Sequence, residues 1–234
     1  MSEGSRKKRI VVAIDGPAGA GKSTIAREVA RALGYMLVDT GALYRGVALI
    51  ARERGVAWTD GAALGPLAAS LSLELRPGAD GSARLHIDGR DRADDIRTQA
   101  ISMGASDVSK HPEVRDALLG LQRHLGRDGG VVLEGRDIGT VVFPNAEAKV
   151  FLTASPPARA GRRVTDLRER GLDADFETTL AEVNARDAQD QGRAVAPLRP
   201  AEGATIVDST ELGIDQVVQR VVAIAHAAMN APRS

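Results

Sequence analysis

Gly16, Gly21, Lys22 and Ser23 stand at the spacing G-x-x-x-x-G-K-[ST], inside the stretch Ile10 to Thr24 that reads IVVAIDGPAGAGKST. This is the spacing of a phosphate-binding P-loop. Glycines without a Cβ let the backbone curl until successive N–H groups point inward at an anion. Lys22 then supplies a mobile cation for β- and γ-phosphates, and the Ser23 hydroxyl a hard oxygen for Mg²⁺. The candidate cradle for a nucleotide triphosphate is Gly16, Pro17, Ala18, Gly19, Ala20, Gly21, Lys22, Ser23 and Thr24.

Three other polar groups have the composition of a site. In DTGALYR, Asp39 to Arg45, Thr40 either caps the helix that follows or faces a ligand, and Arg45 stands one turn further on where it reaches an anion. In EGRDIG, Glu134 to Gly139, Glu134 has two readings: an acid that organises Mg²⁺ through water, or a buried ion-pair partner for Arg136. The third group lies late in the chain. Arg159, Arg162, Arg163, Arg168 and Arg170 crowd one helix, followed by Arg186, Asp190 and Arg193 at i, i+4 and i+7 on one helical face. The first five form either an ordinary salt-bridged surface or a mobile lid carrying cations onto a transferring phosphoryl group. The later three either share a target or pair with each other.

These groups need a frame that brings them to one edge, and the apolar pattern predicts one. Ile10 to Ile14 reads as a buried strand, followed by a helix with Ile25, Val29 and Leu33 at helical spacing and a stop at Gly34. Tyr35 to Val38, Gly130 to Leu133, Lys149 to Thr153 and Ala204 to Val207 read as further strands, and Ile214 to Met229 as a closing amphipathic helix. Polar clusters at the C-terminal ends of strands are where open α/β sheets place ligands. From Val56 to about Arg97 the pattern changes: Leu71, Leu73 and Leu75 alternate, PGADGS makes a turn, Leu85 and Ile87 alternate, and Asp88-Gly89 signals a hairpin. That stretch is expected to be a small antiparallel meander. Ile96 to Gly126 is expected to be helical with a break at His111-Pro112; in it Ser106 is either a small residue at a helix contact or part of a site, and Arg115 either borders the core or reaches a ligand.

Composition narrows the class. Lys plus Arg number 31 and Asp plus Glu 31, so no overall field draws in nucleic acid or an anionic membrane. With no cysteine, disulfides, zinc–thiolate sites and thiol nucleophiles are excluded together. Four scattered histidines offer no metal spacing, and 3% aromatics supply no base-stacking platform. The start, MSEGSRKKR, is a polar basic arm with no secretory h-region, and no run of 18 apolar residues appears, so the cytoplasm is the default location. A P-loop leaves kinase, motor ATPase and GTPase open, but the N-K-x-D and D-x-x-G elements of a GTPase are absent. The remaining arginines suggest phosphoryl transfer to a second phosphorylated substrate.

DGPAGAGKST, DTGALYR, IRTQ, VRDALL, GRDIGTVVFP, the arginine-rich lid and RDAQDQGRAVAPL together resemble bacterial cytidylate kinases, in that order and over nearly the whole chain. The resemblance implies a P-loop kinase fold: α/β, a parallel sheet with helices on both faces, a small antiparallel β insert and an Arg-rich lid. It places a flexible tail at 1–9, one domain at 10–230, the insert at about 60–98 and the lid at about 158–190. It implies transfer of a phosphoryl group from ATP to CMP or dCMP with Mg²⁺. Zero net charge and the lack of an obvious exposed apolar helix seam make a monomer that binds neither nucleic acid nor membrane the expectation. By resemblance Ser106, Arg115 and Asp137 read the cytosine. Arg45, Arg136 and Arg193 hold the acceptor phosphate, Arg186 and Asp190 the ribose side, and Thr40 belongs to the same acceptor subsite. The implied catalytic set is Lys22, Arg136, Arg163 and Arg193, with Ser23 and, through water, Glu134 at the metal. A kinase for another acceptor such as UMP, and a non-enzymatic nucleotide binder, are the alternatives. The second fits poorly with a full set of acceptor arginines.

Overall fold

The computed structural model describes residues 9–78, 83–169 and 171–231. The basic start up to residue 8, most of the PGADGS turn and Arg170 lie outside the described residues. Five parallel strands form the central sheet: β1 (Val11–Asp15), β2 (Met36–Asp39), β6 (Val131–Gly135), β7 (Ala148–Thr153) and β8 (Thr205–Asp208), in the order β2-β6-β1-β7-β8. β1 lies at the centre and is buried along its whole length, which is why its sequence is apolar throughout rather than alternating. Its side chains still take opposite faces. Ile10, Val12 and Ile14 pack with Ile25 and Val29 of α1 (Lys22–Leu33) and with Val217 and Val221 of α8 (Ile214–Asn230). Val11 and Ala13 face the other way, onto Val38, Leu133, Ile138 and Val142.

The remaining helices are α2 (Thr40–Glu53), α3 (Gly61–Ser70), α4 (Gln99–Val108), α5 (Pro112–Gly126), α6 (Pro156–Glu169) and α7 (Phe176–Gln191). α1 ends on Gly34, left-handed at φ 66°, where its N–H closes onto the last carbonyls as the glycine stop predicts. α5 begins at Pro112, a residue whose missing N–H costs nothing in a first turn.

A second sheet is antiparallel: β3 (Leu73–Pro77), β4 (Ala83–Ile87) and β5 (Arg90–Asp91). Asp88 and Gly89 both take positive φ, 50° and 78°, the backbone a two-residue hairpin requires. Leu73, Leu85 and Ile87 share one apolar cluster with α2, α3, α4 and α5. Gly46 of α2 permits this approach, since a Cβ there would stand 2.7 Å from Leu85 Cδ2. The meander expected from Val56 onward is preceded by α3, which the alternation argument did not foresee. GAALGPLAAS carries two glycines, a proline and no one-sided apolar stripe, so its helicity rests on tertiary contact. Asp60 caps it by accepting from Ala63 N at 3.0 Å, and Gly65 lets it close onto Glu113 of α5. Among the described residues no helix is long and apolar enough to cross a membrane.

Candidate active site

The polar groups meet at the C-terminal edge of the central sheet. After β1 the chain turns through Gly16, whose φ is 150° and where a Cβ would lie 1.9 Å from Leu152 O. Only glycine fits this crossing of β1 and β7. Gly19 and Gly21 follow at φ 77° and 88°, and α1 opens at Lys22 without a side-chain cap, its first-turn amides facing the loop. Lys22 is buried, and its Nζ donates to Pro17 O at 2.7 Å. Burial, and then the nearby cations Arg136 and Arg186, hold its amine below the usual lysine range. Residues Ala18 to Thr24 line a cavity of about 700 Å³. Gly16 and Pro17 are not part of that lining.

At the end of β2, Asp39 caps α2 by accepting from Ala42 N at 3.1 Å, and its other oxygen takes Arg45 Nη2 at 2.6 Å. The cap is therefore Asp39 and not Thr40: the last strand residue keeps extended backbone and folds its carboxylate back, while Thr40 is already helical. Thr40 instead donates its hydroxyl to Glu134 O at 2.7 Å, tying α2 to β6.

Glu134, at the end of β6, is buried, and its Oε1 has no hydrogen-bond partner. Its carboxyl is held above the ordinary range by burial and then by Asp39, while the Ser23 hydroxyl bonds to it and works the other way. The expected alternative of a Glu134–Arg136 ion pair is not what forms. Arg136 turns to α7 and gives its Nε to Asp190 Oδ2 at 2.9 Å. A buried, unsatisfied acid beside a hydroxyl at the phosphate cradle is a donor set that suits a hard divalent cation. No cluster of three or more His, Asp or Glu that could hold a metal occurs among the described residues, so such a cation would complete its shell from the ligand.

Beyond Glu134, a wide helical turn at Ile138–Val142 presents Asp137. Arg115 of α5 pairs with its carboxylate, donates to Ser109 O at 3.3 Å, and lies over the Tyr44 ring at 5.7 Å. Both charged side chains are 8% exposed. Ser106 of α4 lines the same end of the cavity, and Gln189 of α7 donates to its Oγ at 2.7 Å.

The α6–α7 hairpin closes the remaining side. Arg159 forks onto Asp187 and also donates to Ala18 O at 3.0 Å, so α6 steadies the phosphate loop. Arg162 donates to Ser209, and Arg168 turns to Ala174 O away from the cavity. Arg163 lies 3.7 Å from Glu182 with its Nε buried and unpartnered, and the Nε of Arg186 is likewise unpartnered. Burial, and then Arg136, push the Arg186 guanidinium down to about 10. Arg193 lies beyond the end of α7, whose cap is Gly192, so the expected single helical face holds only Arg186 and Asp190. Arg193 reaches the group from the turn and bonds Asp190 and Ser109 Oγ.

The cavity thus brings together the candidate nucleotide and acceptor residues except Gly16 and Pro17, and of the lid arginines it takes Arg162 and Arg163 but not Arg159 or Arg168. Eight cationic and five anionic side chains line it, so a neutral chain conceals a site with excess positive charge, fit for polyanions. Asp15, Tyr44, Ser109, Asp187 and Gln189 were given no site role by the sequence, and Asp39 entered only as the start of its polar group. Asp15 alone carried a local signal, an acid closing a fully apolar strand.

A family model for cytidylate kinase matches residues 12–227. The cytidylate kinase of Syntrophotalea carbinolica is 48% identical over 217 residues, 93% of this chain and 92% of that protein. That of Exiguobacterium sibiricum is 48% identical over 95% of this chain and 99% of its own, and that of Pasteurella multocida 45% identical over 92% and 94%. Matched over nearly its whole length by that model and by relatives 45–48% identical, the chain belongs to the cytidylate kinase family.

Proposed function

We propose that this protein transfers the γ-phosphoryl group of ATP to CMP, and to dCMP, giving the nucleoside diphosphate and ADP. The observation that carries the substrate is the buried Arg115–Asp137 pair beside Ser106, across one cavity from the P-loop. Cytosine offers an N4 amine donor and N3 and O2 acceptors; a carboxylate matches the first, and a guanidinium or hydroxyl the others. Arg45, Arg136 and Arg193 line the same cavity as that pair and Lys22 and would hold the acceptor phosphate, with Arg186 and Asp190 toward its ribose.

The attacking atom is an oxygen of the CMP phosphate, ionised at neutral pH, so no strong general base is required. Catalysis rests on in-line positioning and on neutralising charge as the phosphoryl group moves. Lys22, Arg136, Arg163 and Arg193 supply the fixed cations, and Arg163 and Arg186 hold unspent guanidinium donors for an arriving phosphate. Ser23 and Glu134 would hold Mg²⁺, which supplies charge neutralisation at the triphosphate when bound. Closure of the α6–α7 hairpin excludes water, the competing acceptor. The reading is of a monomer working on diffusible nucleotides. A coupled ADP-release assay with a panel of nucleoside monophosphates tests it: CMP and dCMP should lead, and a preference for AMP, GMP or UMP would overturn it.

A further inference from the structure

Asp15 is the last residue of β1 and stands immediately before the first glycine of the P-loop. It is buried at 3% exposure, yet among the described residues no ion pair engages its carboxylate. Both oxygens are taken instead by consecutive backbone amides of the wide turn after β6: Ile138 N to Oδ1 at 2.8 Å and Gly139 N to Oδ2 at 2.7 Å. The first N–H groups of any helical turn lack intrahelical partners, and here they are satisfied from a neighbouring strand. Asp137, which pairs with Arg115, is the residue directly before these two amides.

We propose that Asp15 is a specificity-determining positioning residue: it anchors the turn that carries Arg136 and Asp137 to the start of the P-loop, and so fixes the base-reading carboxylate relative to the phosphoryl donor. The inference rests on the reading of Asp137 as the residue facing cytosine.

Three observations bear on it. β1 and β6 are in direct register, Asp15 opposite Gly135, so the clamp closes the gap that opens where the two strands end. The turn is packed to accept little movement: a Cβ on Gly139 would stand 3.0 Å from Ala201 Cβ and 3.4 Å from Asp15 Oδ2, and one on Gly135 would stand 2.7 Å from Ile138 Cδ1. Only an ionised carboxylate offers unencumbered acceptors to both N–H groups; an amide of the same shape must turn an NH₂ toward one of them. Burial pushes the Asp15 carboxyl up to about 6, and the two amides act against that rise, so they help hold it ionised at neutral pH.

The test uses Asp15→Asn in the full chain, with KM measured for CMP, UMP and ATP, and amide hydrogen exchange over Ile138–Val142. Loss of one charge-assisted hydrogen bond predicts a rise of about 10-fold or more in KM for CMP. The CMP-over-UMP preference should fall by a similar factor, KM for ATP should stay within about twofold, and exchange should accelerate in the turn. Gly139→Ala, which keeps the carboxylate but displaces the turn, should give the same signature more weakly, and it carries the test if Asp15→Asn does not fold. An unchanged CMP-to-UMP ratio in the folded variants, or a KM for ATP that rises as much as that for CMP, overturns the proposal. A wild-type enzyme without cytosine preference overturns the substrate reading. In that case faster exchange in the turn still registers the clamp, and only its role in base selection falls.

Discussion

Asp137→Ala removes one partner of a buried pair and leaves the Arg115 guanidinium with its cation–π contact to Tyr44, its weak bond to Ser109 O and no counter-charge. Breaking a buried ion pair from one side costs about 3–5 kcal/mol, and since the cavity admits solvent here the lower end applies. For a chain of this length each kcal/mol moves the melting temperature by about 2–4 °C, so the variant should melt on the order of 10 °C below wild type. Arg115→Met should cost less, because the carboxylate left behind still has the Arg193 guanidinium near it. The double variant Arg115→Met/Asp137→Ala leaves neither charge stranded and should return to within about 2 kcal/mol of wild type. Urea denaturation of all four proteins gives the coupling directly, while KM for CMP should stay raised at least about 10-fold in every variant. Stability would then recover without recognition. Single-variant losses that add within about 0.5 kcal/mol would show that the two charges do not interact, and the account of this subsite would fail.

Lys22→Met should lower turnover by on the order of 10³-fold without lowering the melting temperature, since this cation is buried among other cations and its charge costs the ligand-free fold stability; a fall of several degrees would contradict that. For Glu134 the folded carboxyl keeps its proton to higher pH than the unfolded one, so its contribution is present below pH 4.5 and is lost as pH rises toward neutrality. Glu134→Gln should therefore gain stability relative to wild type across that interval, read as diverging urea midpoints, while needing about 10-fold more Mg²⁺ for half-maximal activity; parallel midpoints would refute it. Gly16→Ala places a methyl inside contact distance of the Leu152 carbonyl at a φ of 150° and should cost more than about 4 kcal/mol, seen as loss of soluble folded protein.

The phosphate cradle was legible because its determinants are consecutive: spacing alone placed Gly16, Gly21, Lys22 and Ser23 on one loop. Strand ends were legible for a similar reason, since an apolar run must stop where it leaves the core, and Asp39 and Glu134 mark two of those stops. Partner choice was not. Whether Arg136 turns to Glu134, two residues away, or to Asp190, far along the chain, depends on how α7 packs, and no periodicity encodes that. Thr40 looked like a cap because its residue type suits one, but the backbone gave the position to its neighbour. α3 hid behind Gly65 and Pro66, residues that oppose helix locally; Gly65 is tolerated because α5 lies against it. Gln189 bonds Ser106 across 83 residues, a contact that its surroundings in the sequence do not announce.

Most arginines around the cavity already hold a carboxylate, while Arg163 and Arg186 keep an unpartnered Nε. Arg45 is held by Asp39, Arg136 and Arg193 share Asp190, Arg115 holds Asp137, and Arg159 holds Asp187. At the paired arginines binding would then be an exchange of partners, added to the net positive charge of the cavity. A ligand anion must outcompete a carboxylate already in place, so an isolated phosphate or chloride gains little by entering, and a molecule that displaces several carboxylates at once gains most. Discrimination against small bystander anions would follow from these carboxylate pairings.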